Sequence, residues 1–256
     1  LAQVDVVACE DTRHTQQLLR AYGLDRPGSQ LLALHQHNEA EAAQNVLLRL
    51  AQGERVAYVS DAGTPAISDP GARLVAAVRQ AGYRVLPLPG ASSVTTALSA
   101  SGMTGDNGFV FIGFLSSKSA ERQQAVQALA QESRAVVLLE APHRIEALAQ
   151  ALAVLGERRI TVGRELTKQF EQIETLAAQD LPAWLAEKPD RQRGEFVLVL
   201  HDAPVAASAG EGLRVLQALL PEVPLKTAVK LAAEITGEPK NQLYDLALSL
   251  KKSEAP

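Results

Sequence analysis

The sequence is short of cysteine and of long apolar runs, and each shortage excludes a class of protein. Cys9 is the single cysteine among 256 residues, so neither an intrachain disulfide nor a cysteine zinc cluster can form. No apolar run approaches the roughly 20 residues that a membrane-spanning helix requires. The first residues also lack the basic and then apolar pattern of a signal peptide. We therefore expect a protein of the reducing cytoplasm.

Several motifs of nucleotide and metal chemistry are missing as well. No Walker A loop occurs and no Gly-x-Gly-x-x-Gly follows a predicted strand, which argues against nucleoside triphosphate chemistry and an ordinary Rossmann site. His35-x-His37 alone is a weak metal signal, so we expect no metal. A Gly-x-Ser-x-Gly nucleophile elbow is also absent. The net charge of −4 argues against a surface coated with positive charge, although a local basic patch could still hold RNA.

What the sequence does contain is an alternation of short apolar runs and amphipathic stretches. This alternation predicts a parallel sheet with helical crossovers in the first hundred residues. The predicted strands there are residues 4–8, 31–34, 55–60 and 83–88.

Two helices of this first part have predicted N-caps. A helix is predicted over residues 70–81, with Asp69 as its N-cap, Pro70 at its first position and Gly82 as its stop. Asn38 is predicted to cap the next helix toward the amino terminus, over residues 39–52.

The second half has strands that follow one another more closely, which predicts a mixed sheet. The predicted fold class is therefore α/β, with two α/β domains and a small helical tail. Residues 237–240 form a turn between two helical stretches of the tail, which is typical of a helix-turn-helix. A helical cap or dimerisation tail is an equally good interpretation. The expected domains are residues 1–107, 108–203 and 212–256, with a linker over 203–212 rich in Ala, Ser and Gly.

Five loops that expose their backbone lie at the ends of predicted strands. Glycine removes the Cβ and lets a ligand approach the chain closely, and proline fixes the loop. In open α/β sheets, ligands bind beyond the carboxyl ends of the strands. Each loop taken alone is more often an ordinary turn, but five at strand ends predict a binding site. They are Asp61–Pro65, Pro89–Ser93, Gly113-Phe114, Pro142–Arg144 and Gly194-Glu195.

Eight blocks of sequence occur in the order seen in one family of enzymes. The blocks are residues 8–13, 60–65, 67–71, 87–93, 113–114, 140–144, 163–168 and 193–195. Together they resemble the bacterial ribosomal RNA small subunit methyltransferase I family, whose fold is similar to that of the tetrapyrrole methylases. The match covers nearly the whole chain.

The resemblance implies two α/β domains of tetrapyrrole methylase type, with S-adenosylmethionine in the cleft between them. It implies methylation of a ribose 2′-oxygen on a cytidine in the decoding region of 16S rRNA, and it implies a homodimer. Family members start with a strand and a Gly-Thr-Pro-Ile-Gly-Asn-like loop. We expect this segment ahead of Leu1, so the first domain is expected to lack its first strand. A porphyrinoid methylase and a nucleotide sensor without turnover are the alternative functions.

The resemblance also implies the residues of the cofactor site. Ser92 could instead simply cap the helix that follows it. The cofactor-binding residues are Asp61, Ala62, Gly63, Thr64, Pro65, Pro89, Gly90, Ala91, Ser92, Ser93, Gly113, Phe114, Pro142, Gly194 and Glu195.

A ribose hydroxyl is a poor nucleophile, so a base should accept its proton. Glu10, Asp11 and Glu140 are the candidates, since all lie at predicted strand ends; they could instead cap helices or pair with Arg13 or Arg144. The weaker candidates are His14, His35, His37 and His143. The residues expected to hold RNA are Arg13, His14, Arg144, Arg164 and Lys168 in the strand-end blocks. In the tail they are Lys226, Lys230, Lys240, Lys251 and Lys252, which could equally form a solvated helix face.

Overall fold

A computed structural model describes residues 1–105, 107–203 and 211–253, excluding the side chains of residues 211 and 251–253. The chain divides into two compact units, Leu1–Ala100 and Ser101–Pro256. The predicted division into three domains stays a prediction. Most of the predicted linker over 203–212 lies outside the described residues, as do the side chains of Lys251 and Lys252.

The first unit is built on a three-stranded parallel sheet, as the alternating pattern predicts. Its strands are β1 (Val6–Cys9), β2 (Leu31–Ala33) and β3 (Val56–Val59), in the order β2-β1-β3. All four residues of β1 are buried, which is what a central parallel strand requires of its sequence. Cys9 pairs with Ala33 on one side and with Val59 on the other, so the three strands end close to one another.

Four helices complete the first unit. They are α1 (Thr12–Ala21), α2 (Glu39–Ala51), α3 (Ala72–Gln80) and α4 (Ser93–Ala100). Apolar residues of α2 and α3, among them Val46, Leu74 and Val78, pack with Ala8 of the central strand in one buried cluster. This packing fixes both helices against the sheet whose strand ends carry the predicted site.

The strand predicted over residues 83–88 is not formed. The segment has no strand assignment, and Leu86 and Leu88 are 64% and 81% exposed. Within the described chain, β3 pairs only with β1, so no neighbouring strand accepts this segment. An extended segment without a neighbour cannot satisfy its backbone donors and acceptors in a ladder, and it therefore stays irregular.

The predicted start of α3 is also wrong. The helix begins at Ala72 with Gly71 as its N-cap, because the Val75 amide donates to the Gly71 carbonyl oxygen at 2.9 Å. Asp69 and Pro70 thus lie in the preceding loop. Gly71 has no side chain to accept the first helical amides, and the acceptor comes instead from Glu39 on α2.

Asn38 is the N-cap of α2 by position, but its side chain makes no capping hydrogen bond. Its amide nitrogen donates to the Ala33 carbonyl oxygen at 3.0 Å, and its oxygen accepts from the His35 amide at 2.8 Å. Asn38 therefore closes the turn after β2, because a local side-chain bond to the backbone competes with capping.

The second unit contains the predicted mixed sheet. Its strands are β4 (Phe109–Gly113), β5 (Ala135–Glu140), β6 (Arg159–Arg164), β7 (Gln172–Ala177) and β8 (Phe196–Leu200), in the order β4-β5-β8-β6-β7. β4 and β5 are parallel, and the remaining pairs are antiparallel. Glu140 and Arg164 both pair with Phe196, so the ends of β5 and β6 meet the start of β8 at one edge of the sheet.

Three helices flank this sheet, α5 (Ser119–Leu129), α6 (Ile145–Leu152) and α7 (Leu181–Ala186). Their apolar residues, including Leu129, Leu148 and Leu181, form one buried cluster with the strand residues Leu138 and Leu198. This cluster anchors the strands on which the second set of predicted site residues lies.

The C-terminal helices are α8 (Glu211–Leu219), α9 (Leu225–Thr236) and α10 (Lys240–Ser253). They enclose their own cluster, with Leu216, Ala232 and Leu243 at its centre. α9 ends at Gly237 in the left-handed conformation, with φ 72°, which is the usual stop for a helix. None of the helices in the described ranges has the length and apolar composition that a membrane span needs.

Candidate functional site

The carboxyl ends of β1 and β3 are joined by hydrogen bonds through Asp61. The Asp61 carboxylate accepts from the Asp11 amide at 3.3 Å and lies 3.5 Å from His14 Nδ1. The Asp61 amide donates to Glu10 Oε2 at 3.5 Å. Parallel pairing of the two strands places these residues together, although about 50 residues of chain separate them. The structure therefore groups Glu10, Asp11, His14 and Asp61 at one rim of the first sheet.

Asp11 caps helix α1. Its Oδ1 accepts from the amides of Arg13 at 2.8 Å and His14 at 3.4 Å. The Arg13 guanidinium donates to the same carboxylate, at 3.1 Å from Oδ2. The hydrogen bonds from the Arg13 side chain and amide lower the pKa of Asp11 to about 2. A carboxylate with so low a pKa is a weak base, so this geometry gives Asp11 a structural role.

The surroundings of Glu10 shift its pKa in the direction opposite to that of Asp11. It is half-buried, and burial raises its pKa above the usual value of 4.5. The negative charges of Asp69 and Asp61 raise the pKa further, while the hydrogen bond from the Asp61 amide opposes them. A raised pKa strengthens a carboxylate as a base, and the Asp61 amide orients one of its oxygens.

Glu140 is the third predicted proton acceptor, and its side chain is fully buried. Its Oε1 accepts from the Ala141 amide at 2.9 Å and lies 3.1 Å from Arg144 Nε. Arg144 also donates to the Leu115 carbonyl oxygen. Within the described chain, Glu140 Oε2 is buried without a hydrogen-bond partner. Glu140 Oε1 and the Arg144 guanidinium thus fix the turn after β5 through internal contacts.

The two predicted cofactor loops of the first unit are connected. Thr64 Oγ1 donates to the Ala91 carbonyl oxygen at 3.0 Å, which ties Asp61–Pro65 to Pro89–Ser93. Gly63 has φ 66°, and a Cβ at Gly63 or at Gly90 would meet nothing within 4 Å. The backbone of both loops is therefore open to a ligand.

Helix α4 begins directly after the second of these loops. The Ser92 carbonyl oxygen accepts from the Thr96 amide at 3.0 Å, so Ser92 occupies the N-cap position. The first amides of a helix have no intrahelical acceptor, and they are available to an anionic group. Ser93, the first residue of α4, is exposed at this end.

In the second unit, a compact cluster joins the ends of β6 and β8. The Glu195 amide donates to Glu165 Oε1, and the Glu165 amide donates to the Glu195 carbonyl oxygen, both at 2.9 Å. Lys168 Nζ lies 2.9 Å from carboxylate oxygens of both glutamates. A Cβ on Gly194 would lie 2.4 Å from Glu165 Cγ, so only glycine fits beside this carboxylate.

Glu165 was not among the sequence candidates, although it lies between Arg164 and Lys168 in one of the matched blocks. Its φ of 48° and the φ of 66° at Thr167 are left-handed, which is uncommon for residues with a Cβ. Such strain persists where the surroundings fix it, and it clusters at functional sites. The matched block was the only signal in the sequence, because nothing local predicts a left-handed glutamate.

Arg164 is buried, with 6% of its surface exposed. Its guanidinium donates to the carbonyl oxygens of Arg193 at 2.6 Å and Phe170 at 3.0 Å, and to Gln172 Oε1 at 3.3 Å. These bonds hold the segments around β6, β7 and β8 together. The structure therefore favours a structural role for Arg164 over the predicted contact with RNA.

The remaining predicted residues of the second unit lie near these strand ends. Gly113 ends β4 beside a register shift, with φ 75°, and the following Phe114 is 52% exposed. Pro142 starts a short 3-10 helix directly after β5 and is exposed. The structure thus presents an aromatic ring and a rigid turn on this edge of the second sheet.

Comparison with known proteins identifies the family. The sequence profile described as Tetrapyrrole (Corrin/Porphyrin) Methylases matches residues 1–182. The chain belongs to the tetrapyrrole methylase family. A second profile, described as RsmI C-terminal HTH domain, matches residues 206–251 of this methylase.

Similar proteins place the methylase more closely within its family. Three relatives named ribosomal RNA small subunit methyltransferase I come from Escherichia coli O157:H7, Pseudomonas aeruginosa and Vibrio cholerae. They are 45%, 46% and 47% identical over 97% of this chain, and they are covered to 87%, 89% and 86% of their own lengths. The methylase is accordingly an S-adenosylmethionine-dependent methyltransferase.

Solved structures confirm the fold. A cobalt precorrin-4 methyltransferase is 20% identical, with a TM-score of 0.53, over 78% of this chain and 84% of its own. A diphthine synthase is 15% identical, with a TM-score of 0.57, over 78% of this chain and 80% of its own. At such identities the likeness concerns the fold alone.

Proposed function

We propose that the chain methylates the 2′-oxygen of a cytidine ribose in the decoding region of 16S rRNA. The observation that carries the proposal is the similarity of almost the whole chain to enzymes named ribosomal RNA small subunit methyltransferase I. The match of residues 206–251 to a helix-turn-helix profile adds support, because an RNA substrate needs a docking surface that a small porphyrinoid does not. A cytoplasmic homodimer is part of the same proposal.

The residues that bind the cofactor in this proposal lie in strand-end loops. S-adenosylmethionine supplies a methyl group on a positively charged sulfur when it is bound. Exposed Asp61 to Gly63 and the open backbone at Gly90 allow close approach, and the start of α4 offers amides and the Ser93 hydroxyl to a carboxylate. The resemblance also implies cofactor contacts from five residues of the second unit, of which Phe114 exposes an apolar ring; they are Gly113, Phe114, Pro142, Gly194 and Glu195.

Glu10 is the proton acceptor in this proposal. Methyl transfer requires that the ribose hydroxyl lose its proton as the new bond to carbon forms, and a positioned base assists that step. Asp11 is held as a weak base by Arg13, and Glu140 is buried against Arg144. Glu10 is half-buried and is oriented by the Asp61 amide.

The exposed basic residues are assigned to RNA. The side chains of Arg13 and His14 are 91% and 55% exposed, and both lie on the first turn of α1, next to Glu10 and Asp11 in the chain. Lys168 is half exposed, although two glutamates hold it in this structure. Phosphate contacts from such residues position an RNA without reading its bases. Arg144 and Arg164 are not assigned to RNA, because their guanidinium groups already bind carbonyl oxygens within the chain.

The function is tested with assembled small ribosomal subunits and S-adenosylmethionine that carries a tritiated methyl group. We expect label in 16S rRNA, at one cytidine whose 3′ linkage resists alkaline hydrolysis because its 2′-oxygen is blocked. A porphyrinoid substrate serves as the control and should stay unlabelled. Label on the porphyrinoid alone would support the alternative methylase, and cofactor binding without label on either substrate would support a sensor.

A further inference from the structure

Glu39 lies outside the predicted site but contacts the end of its principal loop. It is the first residue of α2, and it is buried, with 9% of its surface exposed. Its Oε1 accepts from the amides of Gly71 at 2.9 Å, Arg73 at 2.8 Å and Leu74 at 3.4 Å. One carboxylate oxygen from a different helix thus caps the start of α3.

The position of Gly71 is fixed by a second contact. The Tyr58 hydroxyl donates to the Pro70 carbonyl oxygen at 2.6 Å. Gly71 has φ 127°, and a Cβ there would lie 2.4 Å from Tyr58 Cε1, so the backbone passes close to this carbon of the tyrosine ring. The Ala66 amide also donates to the Pro70 oxygen, at 3.3 Å, with Ala66 in the left-handed conformation at φ 65°.

These contacts act on the carboxyl half of a loop whose first half is held by Asp61 and Thr64. Between the end of β3 at Val59 and the start of α3 at Ala72, the chain has no regular structure. Its first part, Asp61 to Gly63, is exposed, and its last part is held by Glu39 and Tyr58. A loop fixed at both ends loses less conformational entropy when a ligand orders it, and it therefore binds more tightly.

We infer that Glu39, assisted by Tyr58, is a positioning residue that sets the conformation of the loop containing Asp61–Pro65 for the cofactor. This inference rests on the proposed role of that loop. Glu39 acts through the backbone of residues 70–74 and does not itself reach the cofactor. Its removal frees three amides at the start of α3 and lets the carboxyl half of the loop shift.

The test compares Glu39→Ala with Glu39→Gln in the whole chain. We expect Glu39→Ala to weaken S-adenosylmethionine binding about 10- to 100-fold, because the cofactor must then order the loop as it binds. Glu39→Gln keeps an acceptor oxygen at the same distance and should restore most of the affinity. Tyr58→Phe removes only the hydrogen bond to Pro70 and should give a smaller loss in the same direction. Calorimetric titration with the cofactor measures all three.

Two further variants serve as controls. One tests whether a general loss of stability weakens cofactor binding, and the other tests whether the loop Asp61–Pro65 binds the cofactor at all. Leu148→Ala leaves a cavity in the core of the second unit, and it should lower the melting temperature without changing cofactor affinity. Asp61→Ala should weaken cofactor binding directly. If Asp61→Ala binds the cofactor normally, the assignment of the loop is wrong.

If Asp61→Ala binds weakly but folded Glu39→Ala binds normally, only the inference about Glu39 is overturned. Should Glu39→Ala fail to fold, Tyr58→Phe decides the question, and unchanged affinity in that variant overturns the inference. Equal loss in Glu39→Gln and Glu39→Ala would also contradict it, because the amide oxygen should replace the carboxylate oxygen as acceptor.

Discussion

Glu10 and Asp11 are adjacent in the sequence and carry the same chemical group, yet their surroundings move their pKa values in opposite directions. The Arg13 side chain and amide lower the pKa of Asp11 to about 2, while burial and the charges of Asp69 and Asp61 raise the pKa of Glu10. Pairs of carboxylates with pKa values pushed apart divide their roles between base and structural anion. In the proposed function, Glu10 is therefore the base, while Asp11 caps α1.

The rate of methyl transfer should depend on the protonation of Glu10. The base must be ionised, and its pKa is raised above 4.5, so kcat/KM should fall as pH drops through that raised value. Glu10→Gln should lose about 10²- to 10⁴-fold in kcat and should flatten the acid limb of the profile. Single-turnover rates on small subunits across the acid range measure both effects.

Asp11→Asn is the matched control for Glu10→Gln, because asparagine retains an oxygen that can cap α1. This variant should keep most of the activity and an unchanged pH profile. An acid limb that persists in Glu10→Gln would show that another group titrates, and an equal loss in Asp11→Asn would remove the distinction between the two carboxylates.

At the scale of elements, the three C-terminal helices form a bundle with its own apolar core and an exposed polar exterior. Leu216, Ala232 and Leu243 are fully buried inside it, while Lys226, Lys230 and Lys240 are exposed. Among the described residues, Lys230 pairs with Glu234 alone, at a distance of 4.0 Å, so its charge remains largely available. The bundle therefore combines its own buried core with exposed lysines, which are available for phosphate contacts in the proposed function.

Replacing Lys226, Lys230 and Lys240 together by glutamine should weaken binding to small subunits and reduce its salt dependence. Each phosphate contact contributes roughly one unit of slope in log affinity against log salt, so losing three contacts lowers the slope visibly. Affinity for S-adenosylmethionine should stay unchanged. Binding measured at several salt concentrations, beside calorimetry with the cofactor, checks this prediction.

Removal of residues 212–256 eliminates the whole helical bundle together with its lysines. This deletion should reduce RNA binding far more than cofactor binding. Substituting exposed glutamates of the tail, such as Glu222 and Glu234, by glutamine provides a control that removes negative charge from the same helices and should not weaken RNA binding. Undiminished RNA affinity in both the lysine variant and the shortened chain would leave the bundle with a purely structural role.

At the scale of the whole molecule, stability should respond to pH through a buried histidine in the second unit. His201 is 6% exposed, and its Nε2 lies 2.7 Å from Thr161 Oγ1, which lies 2.7 Å from Thr175 Oγ1. Burial lowers the pKa of His201 below 6.5, and the charge of Arg159 adds to the effect. The folded protein therefore favours the neutral imidazole.

The sign of the resulting pH dependence follows from linkage. The unfolded chain takes up the His201 proton at a higher pH than the folded chain, so this stabilisation is present above pH 6.5 and is lost as pH falls through the lowered folded pKa. Urea unfolding should show a decreasing free energy of unfolding over that range. His201→Gln should reduce this pH dependence, whereas the same substitution at exposed His37 should leave it in place.

Much of the architecture could be predicted from local sequence patterns. The apolar run at β1, the strand-end loops and the C-terminal helices follow from the periodicity of neighbouring residues and from Gly and Pro at fixed places. The parallel first sheet and the mixed second sheet were predicted on this basis and are confirmed. Recognition of the family relied on short blocks whose residues are likewise close in sequence.

The tertiary structure alone decided what each residue of those blocks contacts. The segment 83–88 has a strand-like composition but no neighbouring strand in the described chain. The cap of α3 comes from Glu39, 32 residues earlier than Gly71, and the guanidinium of Arg164 binds the carbonyl oxygen of Arg193, 29 residues later. Burial and hydrogen-bond partners depend on residues far apart in sequence, so local patterns located the loops, and the fold determined the surroundings of each carboxylate in them.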